Sequence, residues 1–396
     1  MKPMSLPKEA EFIIDRLESV GYTAYVVGGA VRDSLLSRPI GDYDITTSAT
    51  PERVKELFSD CRTVDTGIKH GTVSVVLGGV CYEVTTYRID GEYLDSRHPE
   101  SVVFTDRLSD DLSRRDFTVN AIAYNPTRGY ADLFGGLSDA KEGIIRAVGD
   151  PVRRFEEDAL RIMRAVRFAS VLDFTIEEAT ARAARELCST LCFVSRERVF
   201  SELMKLFSGK GALRVLSLYP DIIAAAVPEL AALRLPCDEH CAATDGFTLL
   251  LATFAMTHNE PAEHFDSAMR SLRSDNARRI CGRRVLESYK NTDPDSVVSL
   301  LTLLSGTDEP TALQTLKLLV VLGMAEERHV EGLDTLILSG RAYKIKHLAL
   351  RGNELATLGI SGEDVGTTLS MLLHAVITEE VENEREALLK YASEHI

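Results

Sequence analysis

Asp42 and Asp44 stand two residues apart at the expected start of a strand, so both carboxylates point to one face. Two carboxylates on one face repel each other unless a cation lies between them. A hard divalent ion suits such oxygen ligands, and Mg²⁺ would also bridge to phosphate oxygens. The bland alternative is a solvated strand edge. Just upstream, Gly28-Gly29 separates a short strand from a helix, where a chain without side chains lets a ligand approach closely. The helix would aim free N–H groups at that place, which suits phosphate, and Arg32 in its first turn is within reach of a phosphate oxygen. A plain tight turn accounts for a glycine pair equally well. Glu83, inside the expected strand Cys81 to Tyr87, would be a third carboxylate if its face looks toward the acids; the spacing leaves this open.

A second cluster follows. Treated as one helix turning about 100° per residue, Phe155 to Phe168 puts Phe155, Ala159, Ile162, Met163 and Val166 in one arc. Asp158, Arg161, Arg164 and Arg167 fall in the opposite half. Their three-residue steps make a slowly rotating ridge, with Asp158 and Arg161 neighbours and Arg167 turned well away. A salt-bridged solvent face is the bland reading. Excess positive charge on such a ridge fits a nearby polyanion. The Asp–Arg pair has specific chemistry. Cytosine and adenine both present an amino donor beside a ring-nitrogen acceptor, which Asp158 and Arg161 complement. Guanine and uracil reverse both signs and would leave charged groups mispaired, at a cost on the order of several kcal/mol. Arg164 and Arg167 fit phosphate or sugar contacts.

The elements that must position these residues are of two kinds. Through residue 150 the pattern is mixed: a helix over Leu6 to Val20, a strand over Tyr22 to Val27, a helix over Ala30 to Leu36 and a strand over Tyr43 to Thr46. Then come a helix over Ser48 to Phe58 and a hairpin of Thr72 to Leu77 with Val80 to Ile89, turned at Gly78-Gly79. A polar loop, Asp90 to Pro99, and a strand over Val102 to Thr105 follow. This is α+β, a mixed sheet carrying helices. After Gly149-Asp150-Pro151 strand signals vanish and helical periodicity runs to Glu394, which makes that point the expected domain boundary.

Composition bounds the rest. With 396 residues and 45% hydrophobic content the chain can bury several cores. There is no run of about 18 apolar residues, so no membrane span is expected. Residues Met1 to Ala10 do not read as a signal peptide, so a cytoplasmic location is expected. Seven cysteines do not suggest a disulfide framework. The pairs Cys188/Cys192 and Cys237/Cys241, with His240, imitate a zinc site but lack its usual spacing, so buried small side chains are expected at Cys188 and Cys192. Net charge is −15, yet basic residues cluster at Arg153 to Arg167, at Arg270, Arg273, Arg278, Arg279, Arg283 and Arg284, and at Arg341, Lys344, Lys346 and Arg351. That pattern is compatible with a basic track on an acidic body.

Five segments together resemble one family. Gly28-Gly29-Ala30-Val31-Arg32-Asp33 with Asp42-Tyr43-Asp44, and Arg114-Arg115-Asp116-Phe117-Thr118-Val119-Asn120-Ala121, look like the head domain of class II CCA-adding enzymes and bacterial poly(A) polymerases. Glu157-Asp158-Ala159-Leu160-Arg161 resembles the base-reading motif of the neck. Ser195-Arg196-Glu197-Arg198 with Glu202-Leu203 resembles the motif after it, and Arg351-Gly352-Asn353-Glu354-Leu355 with Leu358-Gly359-Ile360 resembles the tail. The resemblance implies a polymerase-β-like nucleotidyltransferase head over 1–150, a neck over 151–215, a body over 216–330 and a tail over 331–396. It implies metal ligands at Asp42 and Asp44, and nucleotide contacts from Gly28, Gly29, Arg32, Arg115, Asp158, Arg161, Arg164 and Arg167. The implied reaction is two-metal addition of CMP, CMP and AMP to the 3′ end of tRNA from CTP and ATP. Thr66 to Val73 looks like the CCA-type segment, and Arg88 to Pro99 resembles the loop needed for the final A. A poly(A) polymerase, an enzyme adding only the last A, and a non-catalytic tRNA-binding protein are the alternatives. No His-Asp phosphohydrolase motif is evident in the C-terminal half, residues Pro228 to Lys290 match only in helical character, and the oligomeric state stays open.

Overall fold

The computed structural model describes residues 3–65, 67–91, 102–237, 241 and 244–395. Their contacts divide into two compact units, Met1–Pro228 and Glu229–Ile396. The first unit therefore holds the sheet and also the helices that follow it, past the composition switch at residue 150.

Helix α1 (Lys8–Ser19) is amphipathic and buries Ala10, Ile13, Ile14 and Leu17. The chain continues through β1 (Ala24–Val27), α2 (Gly29–Leu35), β2 (Asp44–Thr47), α3 (Pro51–Leu57) and β3 (Arg62–Val64). The next elements are β4 (Thr72–Leu77), β5 (Val80–Thr86), β6 (Arg88–Asp90), β7 (Val102–Phe104), α4 (Leu108–Ser113), β8 (Ile122–Asn125) and β9 (Gly129–Asp132). Seven strands form one sheet in the order β3-β4-β5-β2-β1-β8-β9. All its pairs are antiparallel except β2 with β5, so the sheet is mixed. The period-2 alternation divides the side chains of β1. Ala24 and Val26 join Ile13, Leu17, Val54 and Phe58 in the large core. Val27 lies on the other face with Leu112 and Ala123. The β4–β5 hairpin turns at Gly78 and Gly79, both at positive φ (57° and 80°), which glycine adopts without strain.

Beyond the sheet come α5 (Gly136–Glu142), β10 (Ile144–Ile145), α6 (Pro151–Glu157), α7 (Leu160–Leu172), β11 (Thr175–Ile176), α8 (Glu178–Leu187), α9 (Arg196–Phe207), α10 (Ala212–Leu218) and α11 (Pro220–Ala226). Two local expectations fail here. Strand structure does not end at residue 150, because β11 pairs in parallel with β10. Two residues are too few to show a period. The expected single helix over Phe155 to Phe168 is also broken. Asp158 is extended, with φ −147° and ψ 104°. Its carboxylate accepts the Leu160 N–H at 3.0 Å, a local side-chain bond that competes with the helical ladder. Helix α7 starts afresh after it.

The second unit is helical: α12 (Gly246–Thr257), α13 (Pro261–Ser271), α14 (Asn276–Ser288), α15 (Val297–Gly306), α16 (Glu309–Val321), α17 (Glu327–Leu338), α18 (Asp364–Ile377) and α19 (Arg385–His395). Helix α12 buries Leu249, Leu250, Leu251, Ala252 and Phe254, so it lies inside the bundle. Asp245, Asp275, Ser296 and Asp308 cap four of these helices through side-chain oxygens. Among the described residues no helix is long and apolar enough to cross a membrane.

Candidate active site

Asp44 opens β2, opposite Val27 of β1. Asp42 lies just ahead of the strand and is exposed. On the other side, β5 runs parallel to β2 with Ile45 opposite Val84, which sets Glu83 beside Asp44. The electrostatics report this crowding. Burial, then Asp42 and Glu83, push the Asp44 carboxyl up to about 6, while Arg115 pulls it down. An acid held so unfavourably is what a divalent cation would relieve, and the oxygen donors suit a hard ion. Among the described residues no three His, Cys, Asp or Glu side chains are gathered around one point. The fit is therefore to two carboxylates completed by phosphate oxygens.

The glycine turn and Arg115 frame these acids. Gly28 has φ 72° and ψ −130°, and a Cβ there would lie 3.1 Å from Arg115 Nη1. Glycine is thus favoured by the conformation, and a larger residue would also press on the end of the Arg115 side chain. Arg115 Nη2 donates to Asp111 at 3.2 Å, and its buried Nε has no acceptor among the described residues. Asp111 is fully buried. Burial would raise its pKa, but Arg114 and Arg115 outweigh it and hold it below the ordinary carboxylate value. This buried acid fixes Arg115 beside Asp44.

Arg32 is buried at the first turn of α2. It donates to both Asp33 oxygens (3.0 and 2.8 Å) and to Asn120 Oδ1 at 2.6 Å. Asn120 in turn donates to Asp116 at 3.0 Å, and Asp116 accepts Arg164 Nε at 2.7 Å. Burial pushes the Asp116 pKa up, but Arg164 and the Asn120 hydrogen bond pull it well below the usual carboxylate range. One polar chain therefore runs from the glycine turn to α7.

The arginine ridge differs from a bare positive face. Arg161 is buried, and it donates to Glu157 at 2.6 Å and to the carbonyls of Arg154 and Arg114 at 3.0 and 3.1 Å. Arg167 Nε donates to Glu202 at 2.7 Å. Asp158 does not hold Arg161; its Oδ2 accepts Arg198 at 2.8 Å. Each arginine thus has its own acid, brought from α6, α9 or the 114–121 segment. Sequence reading gave Glu157, Arg198, Glu202, Asp116 and Asn120 no role, although all lie in the segments that carried the resemblance. Phe168, one residue beyond the ridge, was given no role either.

The other expected features are placed as follows. Cys192 is exposed and Cys188 half-buried, both on a 3₁₀ turn (Cys188–Phe193), so burial is corrected at Cys192. His240, Thr66 and most of the Asp90–Pro99 loop lie outside the described residues. In the basic clusters, Arg270 and Arg279 both hold Asp266. Lys344 donates to the carbonyls of Ser305 and Thr307.

Comparison with known proteins places this arrangement. A family model described as "Poly A polymerase head domain" matches residues 24–146, and one described as "Probable RNA and SrmB- binding site of polymerase A" matches residues 173–232. The chain is 37% identical over 386 residues to the CCA-adding enzyme of Lactobacillus helveticus, covering 96% of this chain and 95% of that one. The chain belongs to the CCA-adding enzyme family. It is 38% identical to the CCA-adding enzyme of Leuconostoc citreum, covering 100% of this chain and 98% of that one. The crystal structure of the Bacillus stearothermophilus CCA-adding enzyme in complex with CTP superposes with a TM-score of 0.81 at 34% identity, covering 100% of this chain and 98% of the other. The α+β nucleotidyltransferase unit followed by helices is the architecture of this family.

Proposed function

We propose that this chain adds CMP, CMP and AMP, without a template, to the 3′ end of tRNA, using CTP and ATP and releasing pyrophosphate. The observation that carries the reading is the crowded acid Asp44, flanked by Asp42 and Glu83 and faced by Arg115, together with the polar chain that runs from Arg32 at the glycine turn through Asn120 and Asp116 to Arg164 of α7. Full-length similarity to proteins named CCA-adding enzymes supports it over a poly(A) polymerase.

In this reading residues 1–150 are the catalytic head, 151–215 read the base, and 216–330 and 331–396 bind tRNA. Asp42 and Asp44 hold a divalent metal, Mg²⁺ in our reading, with Glu83 adding negative charge. Bound there, the metal supplies charge neutralisation at the phosphates and activation of the attacking hydroxyl. The Gly28-Gly29 turn lets the phosphates approach the backbone. Arg32, Arg115, Arg164 and Arg167 offset their charge. Asp158 accepts the amino group of cytosine or adenine, and Arg161 donates to the ring nitrogen beside it. Arg198 and Glu157, which grip these two side chains, hold them for that task.

The test is incorporation into tRNA lacking its last three nucleotides. CTP alone is expected to add two residues, and CTP with ATP to complete the end and stop. Runs of A from ATP alone would reject the reading.

A further inference from the structure

Phe168 lies on α7 and is almost fully buried, 4% exposed. Three guanidinium groups converge on its ring. The Arg167 carbon lies 3.4 Å from the ring centroid, that of Arg32 5.0 Å and that of Arg164 5.3 Å. All three fall within the range of cation–π attraction. Arg164 and Arg167 come from α7 itself, while Arg32 comes from α2. The ring is held from another side by Phe117, edge-on at 5.8 Å between centroids.

Three like charges drawn to one small volume repel one another. Each is paired with a different carboxylate, Arg32 with Asp33, Arg164 with Asp116 and Arg167 with Glu202, although Asp116 and Glu202 also act on both arginines of α7. The ring is the one feature common to all three. A planar guanidinium can stack its face on a ring while its edge N–H groups stay available to an anion. Carboxylates, by contrast, occupy the edges. Arg167 uses only Nε on Glu202, and its two Nη groups find no hydrogen-bond acceptor among the described residues.

We propose that Phe168 is a positioning residue, whose ring gathers Arg32, Arg164 and Arg167 into one cluster in which the Nη groups of Arg167 are available for the nucleotide's polyphosphate. This deepens the reading of the site as one for nucleoside triphosphates and rests on it. The ring acts through its electron-rich face, not only through its bulk, so weakening that face alone should weaken anion binding.

The experiment uses the full chain and inorganic tripolyphosphate, which has no base or sugar, with affinity measured by calorimetry. Phenylalanines carrying one, two or three ring fluorines, placed at position 168, keep the shape and progressively weaken the face. Binding is expected to fall stepwise, reaching about tenfold with three fluorines, while the thermal midpoint moves little. Phe168→Leu, if folded, should fall at least as far. Equal affinity across the fluorine series overturns the proposal. So does a native protein that does not bind tripolyphosphate. Addition of nucleotides to tRNA, assayed separately, reports on the reaction itself, so failure of the proposed function and failure of this role are read independently.

Discussion

At the scale of the residue, Asp44 is an acid placed where its own charge is unfavourable. Its pKa is raised to about 6 from an ordinary 3.8, so in metal-free protein the charged form carries a penalty above pH 6 that disappears below pH 4. Asp44→Asn is therefore expected to stabilise the metal-free protein at pH 8 by about 2 kcal/mol and to bring no gain at pH 4, while abolishing nucleotide addition. Denaturant unfolding in the presence of a chelator checks this; equal stability at pH 8 would contradict it. Asp111 and Asp116 behave in the opposite way. Both are held below the unfolded value by arginines that outweigh burial. Their contribution is fully present above about pH 4 and is lost as pH falls through the folded values. Acid unfolding of Asp116→Asn should accordingly show a weaker pH dependence between about pH 4 and 2 than the native chain.

At the scale of the element, the turn at Gly28 joins β1 to α2 at a positive φ and close to the end of the Arg115 side chain. Gly28→Ala would force a Cβ against Arg115 in a conformation only glycine adopts readily. A loss on the order of 1–3 kcal/mol is expected, with a higher KM for both triphosphates; an unchanged thermal midpoint and KM would contradict it. This is also the scale at which the sequence was most and least legible. The alternation of α1, β1, α2, β2 and α3, the hairpin at Gly78-Gly79 and the 42/44 spacing were readable, because each depends on local periodicity or turn chemistry, whereas β3, α4, β8, β9 and α5 were not read. The break at Asp158 was readable in principle, since an aspartate inside a helical pattern often bonds the backbone ahead of it. The partners of the ridge were not. Arg164 meets Asp116 across 48 residues and Arg167 meets Glu202 across 35, and no periodicity reports such pairs. The parallel placing of Glu83 beside Asp44 likewise needed the register of β2 on β5.

At the scale of the whole molecule, a chain of net charge −15 must bind a polyanion through local surfaces. The second unit separates two kinds of basic residue. Lys344 is bound to carbonyls and Arg279 to the buried acid Asp266, so both hold the fold. Arg283 and Arg284 are about half exposed, with Glu287 and Asp308 as their partners. Replacing Arg283 and Arg284 with alanine is expected to weaken tRNA binding several-fold and flatten its salt dependence, with stability unchanged. Lys344→Ala should lower the thermal midpoint instead. Filter binding across a salt series, alongside thermal unfolding, separates the two.

Selectivity among the four triphosphates tests the account most directly. On tRNA lacking its terminal three nucleotides, the native chain should use CTP and ATP at least about a hundredfold better than GTP or UTP, a gap of roughly 3 kcal/mol. Asp158→Asn, which offers both a donor and an acceptor, should narrow that gap. Use of GTP or UTP at rates near that of CTP by the native chain, or an unchanged preference in Asp158→Asn, would contradict it.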